Sequence, residues 1–347
     1  MTSDSASTMS RVRSLSVIDA IGLVLLALLA LFLAKEFVDD PTRFINVSII
    51  GLTNGAIYGV VALGYTLVYG ILQLINFAHG DVFALSGLVA STIIVSVFGL
   101  DESTGVLVIL VGLAATLAIT VPTFALLNGS IERVAYKPLR HAPRLAPLIT
   151  AVGVSFVIQN VSLAIYGVDF ESVPNFIPRT DAIRIGDIVI QWNKLAVFAI
   201  VIPVLIVLSW FVRSTRQGKA MRAVSQDTEA SAMMGIDVNR TISVTFFLAG
   251  ALAAVAGLVY LLQFNMRYDT GFELGLIAFT AAVLGGIGNL TGAVVGALII
   301  GLVQALNDGL DGTPGSDWTR SIVFGILIAI LVFRPQGILG EQTPEGA

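Results

Sequence analysis

The chain has 347 residues, a net charge of −4 and a mean hydropathy of +0.91; 56% of its residues are hydrophobic and 12% are charged. Soluble domains carry about 25% charged residues, so this composition excludes a single water-soluble domain and indicates a polytopic membrane protein. The sequence has no cysteine, which excludes disulfides, thiolate metal ligands and cysteine catalysis. Its two histidines, His79 and His141, give little scope for a histidine metal site, so we expect neither a metal nor a cofactor.

Apolar segments of bilayer-crossing length follow one another along most of the chain. A spanning helix needs about 20 mostly apolar residues. The segments of this kind are Leu15–Ala34, Ile45–Leu72, Val82–Gly99, Gly105–Asn128, Pro147–Gly167, Leu195–Val212, Ser243–Leu262 and Trp318–Phe333. They predict an all-α fold, an inner-membrane helical bundle of about 8–10 transmembrane segments with broken or re-entrant helices. This single transmembrane domain would cover 15–340, between cytoplasmic tails 1–14 and 341–347.

Two segments allow more than one interpretation. Leu15–Ala34 is longer than the apolar part of a signal peptide, about 7–15 residues, and no A-x-A site follows it, so we interpret it as a retained helix. Leu276–Asp308 is apolar but is interrupted by the run 285–289, and it is too long for one span and short for two. We interpret it as two short or broken helices, which leaves open whether it crosses twice or is re-entrant.

Positive charge is unevenly distributed between the two predicted sides. With the N-terminus inside and the sides alternating, 12 of the 19 Lys and Arg residues lie on the inner side and 7 on the outer side. The positive-inside rule therefore favours cytoplasmic N- and C-termini, in the cytoplasmic membrane. Trp192, Trp210 and Trp318 fall at span ends, where membrane interfaces concentrate aromatic residues.

The second span carries small and polar residues within its apolar sequence. Its glycines recur every four or five residues, at Gly51, Gly55, Gly59 and Gly64. This spacing is typical of a helix that another helix approaches closely, and we interpret it as packing. Thr53, Asn54 and Tyr58 lie on the same span, and the amide of Asn54 needs a polar partner in hydrocarbon. The three are candidates for the lining of a polar path.

A short polar segment, Gln73–Asp81, separates the second and third spans. It predicts a tight connection or a partly inserted turn, with non-helical backbone buried in protein. Asn76 and His79 have two interpretations. Together with Asp81 they cap the next helix, or they line a transport path.

The run Gly285-Gly286-Ile287-Gly288-Asn289 is the second interruption. Glycine-interrupted short segments in transporters indicate discontinuous helices at the permeation path, which makes Gly285, Gly286 and Asn289 candidates. The alternative is a simple hairpin turn between two helices.

The longest predicted inner loop, 213–241, contains a short helix. Asp227 is a plausible N-cap, Glu229 lies in the first turn, and Gly235 suits the left-handed position after the helix. An apolar stripe at helical spacing consists of Ala230, Met233 and Met234. Exposed methionines on a loop helix are candidates for binding a partner; the alternative is that the stripe packs onto the protein's own membrane face.

Several motifs are missing from the sequence. It contains no G-x-x-x-x-G-K-[ST] nucleotide loop, no H-E-x-x-H, no G-x-S-x-G and no acidic metal cluster. We therefore expect no catalytic residue in this chain, and no nucleic-acid partner.

The segment Glu229-Ala230-Ser231-x-x-x-Gly235 resembles the EAA-x3-G loop by which ABC importer permeases bind their ATPases. Other stretches resemble, in the same order, the permease subunit of the branched-chain amino-acid ABC importer family. They are Gly51–Asp81, Ile131–Asn160, Gly218–Arg240, Ala278–Gly292 and, at the C-terminal end, Arg334–Gly340. The resemblance covers nearly the whole chain, from about Ile45 to Gly340.

The resemblance implies a permease that translocates branched-chain or other small amino acids, driven by separate subunits. Its partners would be a second homologous permease, two ATP-binding subunits, an extracytoplasmic solute-binding protein and the lipid bilayer. The segment Asp227–Gly235 would couple it to the ATPases. Importers of urea or short-chain amides share these motifs and are one alternative. An ion-coupled secondary transporter is another, from a different class; it would need buried charges, and Asp81 and His79 come nearest to the membrane interior.

Overall fold

The computed structural model describes residues 17–140, 142–143, 145–177 and 180–340. The two predicted tails, 1–14 and 341–347, and His141 lie outside these residues. Within them the chain is mostly helical. The helices are α1 (Val17–Asp39), α2 (Pro41–Leu72), α3 (Ala78–Thr92), α4 (Val106–Ile131), α5 (Leu145–Tyr166), α6 (Trp192–Ser214), α7 (Arg216–Gln226), α8 (Thr228–Met233), α9 (Val238–Leu261), α10 (Thr270–Gly285), α11 (Leu290–Gly309) and α12 (Thr319–Phe333). Strands β1 (Asp181–Ile185) and β2 (Ile188–Gln191) form an antiparallel hairpin.

The predicted helical membrane bundle is confirmed. In the described part of the chain, eight helical segments are long and apolar enough to cross a membrane, and α10 is a shorter apolar helix. The predicted pair of helices within 276–308 is confirmed as α10 and α11. With 16 residues, α10 is about 24 Å long, less than the hydrocarbon core of a bilayer.

Helices α2 and α9 form the centre of the bundle, and α12 lies at its edge. The most apolar windows of α2 and α9 are 83% and 72% buried, against 11% for α12. Glycine makes the central packing possible. A Cβ at Gly55 would lie 2.7 Å from the Leu298 Cα, and one at Gly51 would lie 2.9 Å from the Gly301 carbonyl oxygen. The packing interpretation is therefore confirmed for Gly51 and Gly55, with α11 as the antiparallel partner.

The connection between α2 and α3 folds back into the bundle. Helix α2 ends at Leu72, and Gln73 adopts a left-handed backbone with φ of 52°. His79, in the first turn of α3, lies against Gly64, two turns before the end of α2. The short non-helical connection that the sequence predicts is found at residues 73–77, where Asn76 is buried and Gln73 is exposed.

Two elements were not predicted from the sequence. The β1–β2 hairpin occupies part of the 167–191 connection, and α7 precedes α8 in the 213–241 loop. Asn46 holds the hairpin, because its amide nitrogen donates to the Asp187 carbonyl (3.2 Å) and its oxygen accepts from the Val189 N–H (3.1 Å). The hydroxyl of Thr215 caps α7 by accepting from the Gly218 N–H at 3.0 Å.

Contacts define two ends of the bundle. We call the first the hairpin end; it contains the β1–β2 hairpin, the start of α2 and the end of α11, where Arg43 donates to the Gly309 carbonyl at 2.9 Å. We call the second the α8 end; it contains α7, α8, the start of α9, the 132–140 segment and the 286–289 turn.

Candidate functional site

A row of polar side chains follows α2 where it faces α11. The Tyr58 hydroxyl donates to the Gln304 Oε1 at 2.9 Å, and Tyr58 is buried. Asn54 lies one turn earlier on the same helix and is half-buried. Thr53 is buried and donates to the Ile49 carbonyl within its own helix at 2.8 Å, so its hydroxyl needs no other partner.

The turn between α2 and α3 contains the buried Asn76, which is 2% exposed. The Tyr136 hydroxyl donates to the Asn76 Oδ1 at 2.6 Å. The Asn76 amide nitrogen has no hydrogen-bond partner among the described residues. A shallow cleft beside it is lined by Tyr65, Tyr69, Ile75, Phe279, Ala282 and Ile287.

His79 is fully buried, and its ring lies edge-on to Tyr65 with 4.9 Å between the ring centroids. Within the described part of the chain, neither ring nitrogen has a hydrogen-bond partner. A Cβ at Gly64 would lie 2.1 Å from the His79 Nε2, so the histidine occupies the space that this glycine leaves open.

Of the two interpretations of the Gln73–Asp81 segment, side-chain capping of α3 is not found. The N-cap position is Phe77, which makes no side-chain cap, and Asn76 bonds to Tyr136 instead. Asp81 lies in the first turn of α3 and faces α5, where the Ser155 hydroxyl donates to one carboxylate oxygen and the Gln159 amide to the other, at 3.1 Å. These contacts explain why the carboxylate does not turn back to the helix terminus.

The run 285–289 forms a hairpin turn, as the alternative interpretation predicted. Gly286 and Gly288 have positive φ angles of 107° and 95°. A Cβ at Gly285 would lie 1.9 Å from the Gly292 carbonyl oxygen, so α10 and α11 touch backbone to backbone at the turn. The side chain of Asn289 caps α11 by accepting from the Gly292 N–H (3.0 Å), and its amide donates to the Leu339 carbonyl (2.8 Å). Each residue thus has a structural part in the turn.

Helix α8 has the capping geometry that the sequence predicts. The Asp227 Oδ1 accepts from the N–H groups of Glu229 and Ala230, at 2.9 and 2.8 Å. Gly235 has a φ of 82°, and a Cβ there would meet no atom within 4 Å. Met233 and Met234 are 79% and 83% exposed, while Ala230 is half-buried. The two methionines therefore project from the α8 end.

The predicted residues fall into four groups. One lies along α2 and α11, one is at the 73–77 turn and the start of α3, one forms the 285–289 turn, and one is on α8. Sequence reasoning missed Gln304 and Glu132, although each is a polar residue within or next to an apolar span, which is itself a signal. No group of three His, Asp or Glu side chains placed to hold a metal ion occurs in the described ranges.

The sequence matches a known protein family and is similar to several known proteins. The profile of the family described as branched-chain amino acid transport system, permease component, matches residues 48–332. The chain is similar to the high-affinity branched-chain amino acid transport system permease protein BraD of Pseudomonas aeruginosa, with 37% identity over 85% of this chain and 95% of BraD. It is also similar to the permease protein LivH of Escherichia coli K12, with 36% identity over 85% of this chain and 95% of LivH. A probable LivH of Methanocaldococcus jannaschii is 28% identical over 81% of this chain and 88% of its own length.

Proposed function

We propose a function for this protein from one premise: the chain belongs to the family of permease components of branched-chain amino acid transport systems. It is a multi-pass membrane protein that operates within an ABC transporter complex. Its cargo is branched-chain or other small amino acids, as the names of its relatives indicate for those proteins. Because the sequence has no nucleotide-binding loop, the energy for transport comes from separate ATP-binding subunits.

The proposed complex contains a second homologous permease, two ATP-binding subunits and an extracytoplasmic solute-binding protein. The α8 end faces the cytoplasm, together with the N- and C-termini. This orientation is supported by the basic residues at that end, among them Arg213, Arg216 and Lys219. The hairpin end then faces the solute-binding protein.

Helix α8 is the proposed contact with an ATP-binding subunit. The observation that carries this assignment is the exposure of Met233 and Met234, 79% and 83%, on a helix capped at both ends. Burial of such apolar area stabilises a protein contact by about 25 cal/mol per Å² removed from water. A capped helix also keeps its shape when a partner pushes on it, which an irregular loop does not.

The proposed substrate path follows Asn54, Tyr58 and Gln304 toward the turn that contains Asn76 and His79. The support for it is the polar character of these residues within apolar spans, since an intramembrane polar group needs a partner. The buried state of Tyr58, Asn76 and His79 corresponds to a closed conformation of this path.

Reconstitution tests the proposal. The permease is placed in liposomes with its ATP-binding subunits, its partner permease and its binding protein, and uptake of labelled leucine is measured. We expect uptake only with ATP, and competition by isoleucine and valine. Uptake driven by an ion gradient without ATP would contradict the proposal and favour a secondary transporter. Competition by urea or acetamide, without competition by valine, would assign the cargo to the amide class instead.

The α8 assignment has its own test. The double variant M233S/M234S removes the exposed apolar side chains and leaves the caps of α8 intact. We expect the ATP-binding subunit to be lost on co-purification while the permease still inserts in the membrane. Normal co-purification would show that the methionines do not form the contact.

A further inference from the structure

A buried carboxylate lies close to α8. Glu132, in the π-helical turn at the end of α4, is 1% exposed. Arg140 forms an ion pair with one of its oxygens, and the Ser243 hydroxyl donates to the other at 2.8 Å. A buried charge needs such a set of partners, because its desolvation is costly. Because Ser243 belongs to α9, its hydrogen bond joins the ion pair of the 132–140 segment to that helix.

The start of α9 is joined to α8 without a flexible linker. The Ile236 N–H donates to the Ser231 carbonyl at 3.1 Å, across the left-handed Gly235. The Asp237 side chain caps α9 by accepting from the Arg240 N–H at 2.9 Å. The connection of residues 235–237 is therefore hydrogen-bonded to the end of α8 through Ile236 and to the start of α9 through Asp237. A displacement of α8 consequently moves the start of α9.

The ion pair contacts one face of α9, so a movement of α9 also moves the ion pair. Asn239 and Ser243 are four residues apart and so lie on the same face of the helix. The Arg140 guanidinium donates to the Asn239 side-chain oxygen as well as to Glu132. Both members of the ion pair thus touch α9, each through its own hydrogen bond.

The same segment also reaches the turn between α2 and α3, through Tyr136. Tyr136 lies one π-helical turn after Glu132 and is 3% exposed. Its hydroxyl donates to Asn76, and its ring packs against Phe246 of α9 with 5.4 Å between the centroids. A continuous set of contacts therefore runs from α8 to the 73–77 turn.

We propose that the Glu132–Arg140 ion pair, held by Asn239 and Ser243, is the positioning element that transmits movement of α8 to the 73–77 turn and its buried Asn76. The proposal rests on the assignment of α8 as the ATPase contact and adds to it the route by which the contact acts. Glu132 and Arg140 do not touch substrate; they act through Tyr136 and Asn76.

The first test measures how much substrate is transported for each ATP hydrolysed, in proteoliposomes that contain the complete transporter. The double variant E132Q/R140Q keeps polar side chains at both positions and the net charge of the pair, but removes both charges. We expect co-purification of the ATP-binding subunits to be retained, and the transport-to-hydrolysis ratio to fall about tenfold, a typical size for a coupling effect. R133Q is the matched control, because it removes an exposed charge from the same π-helical turn, and its ratio should equal that of the wild type.

The variants N239A and S243A each remove one hydrogen bond and keep the ion pair. We expect each to lower the ratio by about two- to fivefold, within the usual range for single coupling residues. If E132Q/R140Q does not fold, these two single variants still test whether the ion pair couples ATP hydrolysis to transport. An unchanged ratio in every variant that folds, or a loss of transport in strict proportion to the yield of folded protein, would overturn the proposal.

A second test follows the turn itself. Because the sequence has no cysteine, L74C introduces a single thiol into the 73–77 turn. In the otherwise wild-type complex, its labelling rate should change at least about threefold between the nucleotide-free and ATP-bound states, as expected for a two-state element. The added E132Q/R140Q change should abolish that difference; a persisting difference would show that another route moves the turn. The M233S/M234S variant is tested by co-purification of the ATP-binding subunit, which does not depend on the transport ratio or on thiol labelling. An incorrect assignment of α8 is therefore distinguished from an incorrect role of the ion pair.

Discussion

The α2–α11 contact and helix α8 both depend on glycine, for different physical reasons. At Gly55 the backbone is ordinary helix, but a Cβ would lie 2.7 and 2.8 Å from backbone atoms of α11. At Gly235 a Cβ would meet nothing within 4 Å, but φ is 82°. The first glycine provides space for a neighbouring helix, and the second permits a backbone conformation. A substitution therefore disturbs the whole bundle in one case and a single helix end in the other.

Gly55→Val should have the largest effect on the protein. The opposing atoms belong to the backbone of α11 and cannot rotate away, so we expect a loss of at least about 3 kcal/mol of stability, the upper part of the usual range for overpacking. The measurement is the yield of monodisperse protein on gel filtration. Gly59→Ala is the matched control on the same helix face, because its Cβ would lie 3.6 Å from the Ala297 Cβ, an ordinary contact. Equal yields of the two variants would contradict the packing argument.

Gly235→Val should affect only the end of α8. A left-handed backbone costs a side-chained residue about 1–2 kcal/mol, and the cost is greatest for a β-branched one. We expect normal membrane insertion and a loss of ATPase co-purification and of substrate-stimulated hydrolysis. Gly235→Asn is the control, since asparagine adopts this conformation more readily. If Gly235→Val co-purifies the ATPase as well as the wild type does, α8 does not need this cap for binding.

Asn54→Leu tests whether the α2–α11 contact also serves transport. Leucine matches asparagine in size and Asn54 is half-buried, so we expect little change in yield. Transport should fall about fivefold, equivalent to about 1 kcal/mol, because a polar group of the proposed path is removed. Uptake is compared with the amount of assembled complex. Normal uptake would assign Asn54 to packing alone.

Asp311→Asn should have the smallest effect. Hydrogen bonds from Arg43 hold the pKa of the Asp311 carboxyl below its usual value, so the pair stabilises the protein above the unfolded pKa of about 3.9 and is lost as the pH falls through the lowered value. The pair is exposed, and exposed pairs contribute little. We expect a small drop in melting temperature at pH 7 that disappears at low pH. Asp317→Asn, at an exposed position nearby, is the control.

Local sequence signals predicted the elements whose cause is local. Asp227 and Gly235 define the ends of α8 through contacts within a few residues, and the 285–289 run forms its turn through its own glycines. The β1–β2 hairpin was not predicted, because it is attached to the bundle by hydrogen bonds with a distant residue. Asn46 lies 141 residues before its partner Asp187. Capping by Asp81 failed for the same reason, since Ser155 and Gln159 on α5 bind the carboxylate.

By itself, the sequence determined a helical membrane protein, the order of its apolar spans, and the family to which it belongs. These properties follow from hydropathy over about 20 residues and from short motifs, which do not depend on distant partners. Only the tertiary structure decided what each polar residue touches. It placed Tyr58 on Gln304, Asn76 on Tyr136 and Glu132 between Arg140 and Ser243. A buried polar group must find a partner wherever the helices bring one close, and helix packing, which the local sequence does not encode, sets that choice.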